Sequence, residues 1–476
     1  MKKRFGAILL AGVMACGMTA GVALTTGCGR KPIPEFEMPE GGYDGRAVEI
    51  TFANTTGQNL ATVVDDAIKR FNVLYPNIKV TVDNTTKSWD DFADNIAKKI
   101  TTDRHPDVAF CYSDHVALYN QSKAVLALDD FLPDGAYADM EVTHADGVTE
   151  PLGLTEEQKN DYFAEFYKEG SIYGDGKTYT LPFAKSTEVL FYNKTFFDKN
   201  NLEVPATWED VEKVCKKILE LDPKCNSALG YDSEANLFIT MCEQLGSPYT
   251  VLEGDHFQFD NAKNREFVQK VKGWYDNRYI RTKETNDGKY SSNFFKEQQM
   301  YMSIGSTGGS SYQSPTGTDG NAGFEVGVAP LPQWNAESPK TILQGPSICI
   351  FKKDPYKVLA SWLLVKFLTT EVRFQAQYSM TSGYAPVTQS TYNSAEYQKF
   401  ISTAGGTASG LTALTAKICK EMADKPGSFY VSPAFMGSSK AREAVGILLK
   451  TVLQGTSMDK AFSDALQECK YAAGQK

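Results

Sequence analysis

Apolar positions recur with two different periods along the first folded stretch. Val48, Ile50 and Phe52 alternate with polar neighbours, which predicts a strand with one buried face. Leu60, Val63, Val64, Ala67, Ile68, Phe71 and Leu74 then return at helical spacing and predict a helix with one apolar stripe. Tyr75-Pro76-Asn77 ends that helix, and Ile78, Val80 and Val82 alternate again. The result is a strand-helix-strand unit whose crossover is right-handed by the usual chirality of twisted strands. Trp89, Phe92, Ile96 and Ile100 mark a second helix, and His105-Pro106-Asp107 leads into the apolar strand Val108 to Cys111. This order predicts an α/β lobe that opens with parallel strands.

A second signal lies between Tyr179 and Val211. Val189, Leu190, Phe191 and Tyr192 form an unbroken apolar run bounded by Pro182 and Asn193, as expected of a strand buried on both faces. Thr207, following Pro205-Ala206, starts a helix, and Asp210 three residues on completes an acidic capping box. Tyr173-Gly174-Asp175-Gly176-Lys177 supplies a tight turn ahead of it. Trp208, Trp274 and Trp362 sit among apolar residues at helical spacing and are assigned to cores, whereas Trp334 is open between a cleft and a surface patch.

The N-terminus changes where this chain is expected to work. Lys2, Lys3 and Arg4 precede an uncharged stretch from Phe5 to Gly27, the layout of an export signal over residues 1–27. Leu24-Thr25-Thr26-Gly27-Cys28 resembles a bacterial lipobox and makes Cys28 the expected lipidated residue, with Cys16 as the competing position. Residues 28–46, rich in Pro, Gly and charge, read as a lipid-anchored flexible tether. Cleavage before Cys28 strips positive charge from a chain that already carries a net charge of −9, which disfavours nucleic acid as a partner. The remaining length of about 430 residues exceeds what one core supports and predicts two domains. Of nine Cys, seven remain after Cys16 and Cys28, with no zinc spacing; Cys215, Cys225 and Cys242 are near enough in sequence for one disulfide, with buried thiols the alternative.

The segment Pro182, Phe183, Ser186, Leu190, Phe191, Tyr192, Asn193 and Lys194 resembles the lobe-crossing motif of the extracellular solute-binding proteins of ABC importers, in the branch that binds sugars and sn-glycerol 3-phosphate. Val326-Gly327-Val328-Ala329-Pro330-Leu331-Pro332 and Ser382-Gly383-Tyr384-Ala385-Pro386 resemble two further motifs of that family. Phe294 to Ser303 resembles a third, without its Gly and Ala. The resemblance implies a two-lobed, type II periplasmic-binding-protein-like α/β fold, each lobe a mostly parallel sheet flanked by helices, with the ligand in the interlobe cleft. It places residues 47–187 and 341–388 in the N-terminal lobe and 188–340 and 389–476 in the C-terminal lobe.

Ligand contacts are expected at strand ends that face the cleft. Trp89 follows the second strand, and Tyr112, Ser113 and Asp114 follow the third. By resemblance, Ser186 of the crossing, Ser306 and Thr307 of a hydroxyl-rich loop, Gly345 of the return crossing and Tyr384 complete the set. The glycerol-phosphate binders carry an Arg before their last helix; here Tyr430 to Gly437 offers none, and Arg442 belongs to the following helix. The implied ligand is therefore a neutral mono- or oligosaccharide, with glycerol 3-phosphate or a polyol as the alternative. The implied partners are ABC permease subunits and the membrane that holds the lipid anchor, and the expected state is a monomer. No cofactor, metal or catalytic activity is implied. A secreted glycan-acting enzyme is the rival reading, although neither G-x-S-x-G nor H-E-x-x-H occurs. A receptor for a sensor kinase would share the same fold and site.

Overall fold

The computed structural model describes residues 33–86, 88–315, 323–406 and 408–475. The export signal and both candidate lipidation sites, Cys16 and Cys28, lie outside these residues. No described helix is long and apolar enough to cross a membrane.

The first strands are β1 (Val48–Ala53), β2 (Ile78–Asp83) and β3 (Val108–Cys111), joined by helices Gln58–Leu74 and Trp89–Thr101. A small hairpin, β4 (Glu141–Thr143) and β5 (Thr149–Pro151), precedes β6 (Leu181–Pro182). The chain crosses to the second lobe and forms β7 (Glu188–Asn193), β8 (Leu229–Tyr231), β9 (Ile280–Thr282), β10 (Met302–Ser306) and β11 (Val326–Pro330). It returns through β12 (Thr341–Ile342) to β13 (Ser347–Ile350), and β14 (Phe429–Tyr430) later pairs with β12.

The first sheet runs β2-β1-β3-β13-β6 and the second β11-β7-β10-β8-β9. Both are mixed. The strand-helix-strand units give the parallel pairings β2-β1-β3 and β10-β8-β9, while strands next to the crossings, β6, β13, β7 and β11, join antiparallel. The expected parallel character thus holds where helices connect the strands and is lost where the chain changes lobes.

Local chemistry explains the boundaries. The Thr207 hydroxyl accepts from the Asp210 N–H at 3.2 Å and starts helix Trp208–Leu221. The Asn193 side chain ends β7 and accepts from the Phe196 N–H at 2.8 Å. Asp354 caps helix Pro355–Thr370, with Pro355 at the first helical position, where its missing N–H costs nothing.

Two apolar clusters result. One contains Phe52, Phe71, Phe110, Phe183 and Trp362; the other contains Trp208, Phe238, Leu449 and Phe462. Each fully buried side chain of this size contributes about 1.5–3 kcal/mol relative to exposure. The border runs between neighbouring residues of the crossings: Ile342 and Tyr430 pack in the second cluster, Leu343 and Phe429 in the first. Along β7 the faces divide likewise, Leu190 toward the second cluster and Val189 and Phe191 toward the first. Helix Ala408–Ala423 covers that latter face, packing on β11 and on the turn Thr307–Gln313.

Residues 33–46, expected to be a loose tether, instead lie against the first lobe. Phe36 packs 5.7 Å from Phe131 and 5.8 Å from Tyr137, Arg46 sits 3.5 Å over the Tyr356 ring, and Glu35 pairs with Lys352 at 2.5 Å. The Pro and Gly of this stretch suit a coil, but its apolar residues Ile33, Phe36, Met38 and Tyr43 all pack on the first core. Trp208, Trp274 and Trp362 are buried in cores as expected. Trp334 stacks on Trp274 at 6.3 Å, on the rim of the second core. All seven described cysteines, including Cys215, Cys225 and Cys242, are buried free thiols.

Candidate functional site

The strand directions bring two edges together. In the first sheet, the carboxyl ends of β1 and β3 and the start of β13 lie on one side, since Ser347 registers with Cys111. In the second, the ends of β8 and β10 and the start of β7 share an edge, since Ser306 registers with Glu188 and Ile304 with Tyr231. Strand carboxyl ends are where open α/β sheets hold ligands.

On the first lobe this edge carries an aromatic platform. Trp89 begins its helix with the ring half-buried, 4.7 Å from Tyr112 and 6.4 Å from Phe110, which it stacks against. Tyr112 is the first residue after β3; burial and the nearby Tyr384 push its hydroxyl pKa well above 10, with Arg442 pulling the other way. Ser113 and Asp114 open helix Ser113–Tyr119, and Asp114 accepts from the His115 N–H at 3.0 Å. Asn54, at the end of β1, is fully buried, and its Nδ2 has no partner among the described residues.

The second lobe answers with a polar network. Glu188 is buried and accepts from the Tyr231 hydroxyl at 2.5 Å and from Asn236 Nδ2 at 2.6 Å. Burial raises its pKa to about 7, against the opposing hydrogen bonds and the Arg442 charge. Asn236 is held by helix Glu234–Leu245, whose N-cap Ser233 accepts from the Asn236 N–H at 3.2 Å. Its side chain exchanges two bonds with Gln344, at 3.1 and 3.3 Å, and accepts from Arg442 Nη2. Burial also raises the neighbouring Asp232 to about 6, although the Ser291 N–H at 2.7 Å stabilises its carboxylate.

The two lobes meet at the mouth. Helix Ser438–Leu453, which carries Arg442, packs against helix Ser113–Tyr119 of the first lobe. Tyr249, also of the second lobe, is buried with no hydroxyl partner among the described residues, and both Arg442 and Asp114 act on it electrostatically.

The crossings themselves are firmly built. Ser186 and Gln344 exchange backbone bonds, both at 2.8 Å, and Lys185 and Ala385 exchange another pair. Lys185 is wholly buried; its ammonium pairs with Glu169 and donates to Ser347 Oγ at 2.7 Å and Gly345 O at 3.2 Å. Gly345 has φ +93°, and a Cβ there would lie 2.3 Å from Ala184 O. Glycine is therefore required by the approach of one crossing to the other.

The structure gathers Trp89, Tyr112, Ser113, Asp114 and Tyr384 toward the cleft edge of the first lobe. The Tyr384 ring lies against the loop after β10, 3.0 Å from where a Gly308 side chain would start. The remaining expected residues serve the crossings at least as directly. Thr307 is fully buried and accepts from the Thr187 N–H at 3.3 Å, while the Ser306 hydroxyl caps the following turn through the Gly308 N–H at 3.2 Å. Ser186 is 2% exposed. Sequence reasoning missed Glu188, Tyr231, Asn236, Tyr249 and Gln344. Arg442 lies on helix Ser438–Leu453, as expected, and that helix packs against helix Ser113–Tyr119 of the first lobe.

A model of the bacterial extracellular solute-binding proteins matches residues 66–401. The chain belongs to this family. Among related solute-binding proteins, the maltotriose-binding protein of Pyrococcus abyssi is 24% identical over 238 residues, so the match spans about half of each chain, 49%. The sn-glycerol-3-phosphate-binding periplasmic protein UgpB of Shigella dysenteriae is 22% identical over 74% of this chain and 77% of its own. Two solved structures share the fold: UgpB from Mycobacterium tuberculosis in complex with glycerophosphocholine, with TM-score 0.71 and 17% identity over 90% of this chain and 99% of that one, and the GacH receptor of Streptomyces glaucescens, with TM-score 0.68 and 18% identity over 90% and 100%. This solute-binding protein thus has the two-lobed architecture of its family, and its facing strand edges form the interlobe cleft.

Proposed function

We propose that the protein is the substrate-binding lipoprotein of an ABC importer, which captures a mono- or oligosaccharide between its lobes and delivers it to membrane permease subunits. The observation that carries the carbohydrate reading is the Trp89–Tyr112 platform opposite the amide network of Asn236 and Gln344. Aromatic faces cover the apolar C–H faces of a sugar ring, while amides and hydroxyls fix its orientation. Asp114 offers a carboxylate to sugar hydroxyls, Tyr384 and Ser306 close one side, and Ser186, Thr307 and Gly345 hold the crossings that bring the two sides together. One relative named for maltotriose and one neighbour solved with acarbose agree with this reading.

Cys28 anchors the mature chain to the bacterial cell membrane, on the cell-surface or periplasmic side, and the protein acts as a monomer without catalytic turnover. A phosphorylated polyol is the second reading, favoured by Arg442 at the mouth, since a guanidinium is the best side-chain partner for phosphate. Calorimetric titration of the mature protein with maltose, maltotriose, glycerol 3-phosphate and glycerophosphocholine separates the two. The expected result is saturable binding of a saccharide at micromolar strength, about 8 kcal/mol. Binding of the phosphorylated compounds alone overturns the carbohydrate assignment.

A further inference from the structure

The segment from Ile33 to Arg46 is built into the first lobe along one edge. Ile33, Phe36, Met38 and Tyr43 pack on the core, with Tyr43 6.3 Å from Tyr75. Glu35 pairs with Lys352, Asn77 Nδ2 donates to Gly45 O at 2.6 Å, and Arg46 covers the Tyr356 ring. The strand directions fix which edge this is. β13 runs antiparallel to β3, so Lys352, just past the end of β13, lies at the edge opposite the cleft. Asn77, just before β2, lies at the same edge because β2 is parallel to β1.

This edge is basic where the segment enters it. The Lys352 N–H donates to Ala124 O at 2.8 Å and the Leu128 N–H to Thr178 O at 2.7 Å, which sets Lys123 and Lys177 in neighbouring stretches of chain. Both lysines are exposed and make no ion pair with a described residue. Glu35 responds to the whole group: its bond to Lys352, then the charges of Lys352, Lys177 and Lys123, hold its carboxyl below the usual range against a cost of burial. Arg30 and Lys31 add two cations just upstream, which Glu37 and Glu40 oppose in part.

We infer, on the reading that Cys28 carries the lipid, that this edge of the first lobe is the surface that rests on the membrane, with anionic headgroups beneath Lys123 and Lys177.

The length of the anchor supports this placement. Five residue steps separate Cys28 from Ile33, and five extended residues span at most about 18 Å. A globular chain of about 430 residues is roughly 55 Å across. The anchor is therefore too short for the molecule to turn over and set the far side of its second lobe on the bilayer. Attraction between lysines and an anionic leaflet falls off within a Debye length, about 8–10 Å, so the face already held close is the one that gains from it.

The test supplies the anchor chemically. Mature protein beginning at Cys28 is coupled through that thiol to maleimide-bearing lipid in phosphatidylglycerol vesicles; the seven described cysteines are buried. A donor fluorophore is attached through an azide-bearing residue at exposed Val73, where helix Gln58–Leu74 ends beside β2, or at exposed Ile447 on the second lobe. Energy transfer to an acceptor lipid is expected to be at least about twofold stronger from Val73, given the size of the molecule. Inserting about 20 Gly/Ser residues between Pro32 and Ile33 and raising salt to about 0.5 M is expected to abolish the difference. In the same extended protein at low salt, Lys123→Glu with Lys177→Glu is expected to lower the Val73 transfer. Equal transfer from both positions of the wild type, or stronger transfer from Ile447, overturns the inference. So does a difference that insertion and salt leave intact, or a Val73 transfer that the lysine substitutions leave unchanged. Lipidation of Cys28 in the cell is read separately, from the mass of the N-terminal peptide, so failure of the anchor assignment is distinct from failure of the orientation.

Discussion

Replacing Lys185 with Met tests whether the first crossing is held by a buried charge pair. Met keeps nearly the length of the side chain and removes only the ammonium, so packing changes little. Lys185 is 0% exposed and Glu169 3%, and the ammonium reaches Glu169, Ser347 Oγ and Gly345 O together. Without it, Glu169 keeps one partner among the described residues, the Ser347 hydroxyl at 3.2 Å, and its charge is left buried. Breaking a buried pair from one side costs about 3–5 kcal/mol, whereas replacing both partners with apolar groups of similar size is often close to neutral. Urea unfolding of wild type, Lys185→Met, Glu169→Leu and the double variant closes the cycle. The expected pattern is a loss of about 3–5 kcal/mol in Lys185→Met and recovery of most of it in the double variant. A single-variant loss below about 1 kcal/mol, the size of a surface pair, or a double variant that simply adds the two losses, refutes the reasoning.

Three other outcomes follow from local geometry. Thr207→Ala removes the oxygen that caps helix Trp208–Leu221 and is expected to cost about 1 kcal/mol in thermal unfolding followed by circular dichroism. Gly345→Ala meets both a positive φ and a carbonyl 2.3 Å away, so a loss of at least about 2 kcal/mol by urea unfolding is expected; an unchanged midpoint contradicts the contact between crossings. Glu188 has a folded pKa near 7 against an ordinary value of 4.5, so its contribution is fully present below about pH 4.5 and is lost as pH rises through 7. That loss amounts to about 3 kcal/mol. The pH dependence of unfolding should therefore flatten over this window in Glu188→Gln.

Much of this architecture was legible in the sequence because it is local. The strand-helix-strand opening follows from Ile50, Phe52, Val64 and Phe71, and the Thr207 cap from its neighbours. The crossing could be read from the apolar run after Pro182. Long-range pairings were not legible. Arg442 and Asn236 are 206 residues apart, and no local pattern announces that they share a hydrogen bond. Glu188 was hidden by the apolar strand it begins, where a charged residue reads as a boundary. Ser186, Thr307 and Gly345 illustrate the opposite difficulty. Their residue types suit a ligand loop and a tightly packed crossing equally well, and only the folded chain reveals the second use.

The central claim is that a saccharide is held against the Trp89–Tyr112 platform. Paired calorimetric titrations of maltotriose into the wild type and into the Trp89→Ala/Tyr112→Ala variant test it most directly. The account predicts one-to-one binding near micromolar strength in the wild type and a loss of at least tenfold, about 1.4 kcal/mol, in the folded variant. Equal binding by both proteins, or no binding by the wild type, contradicts it.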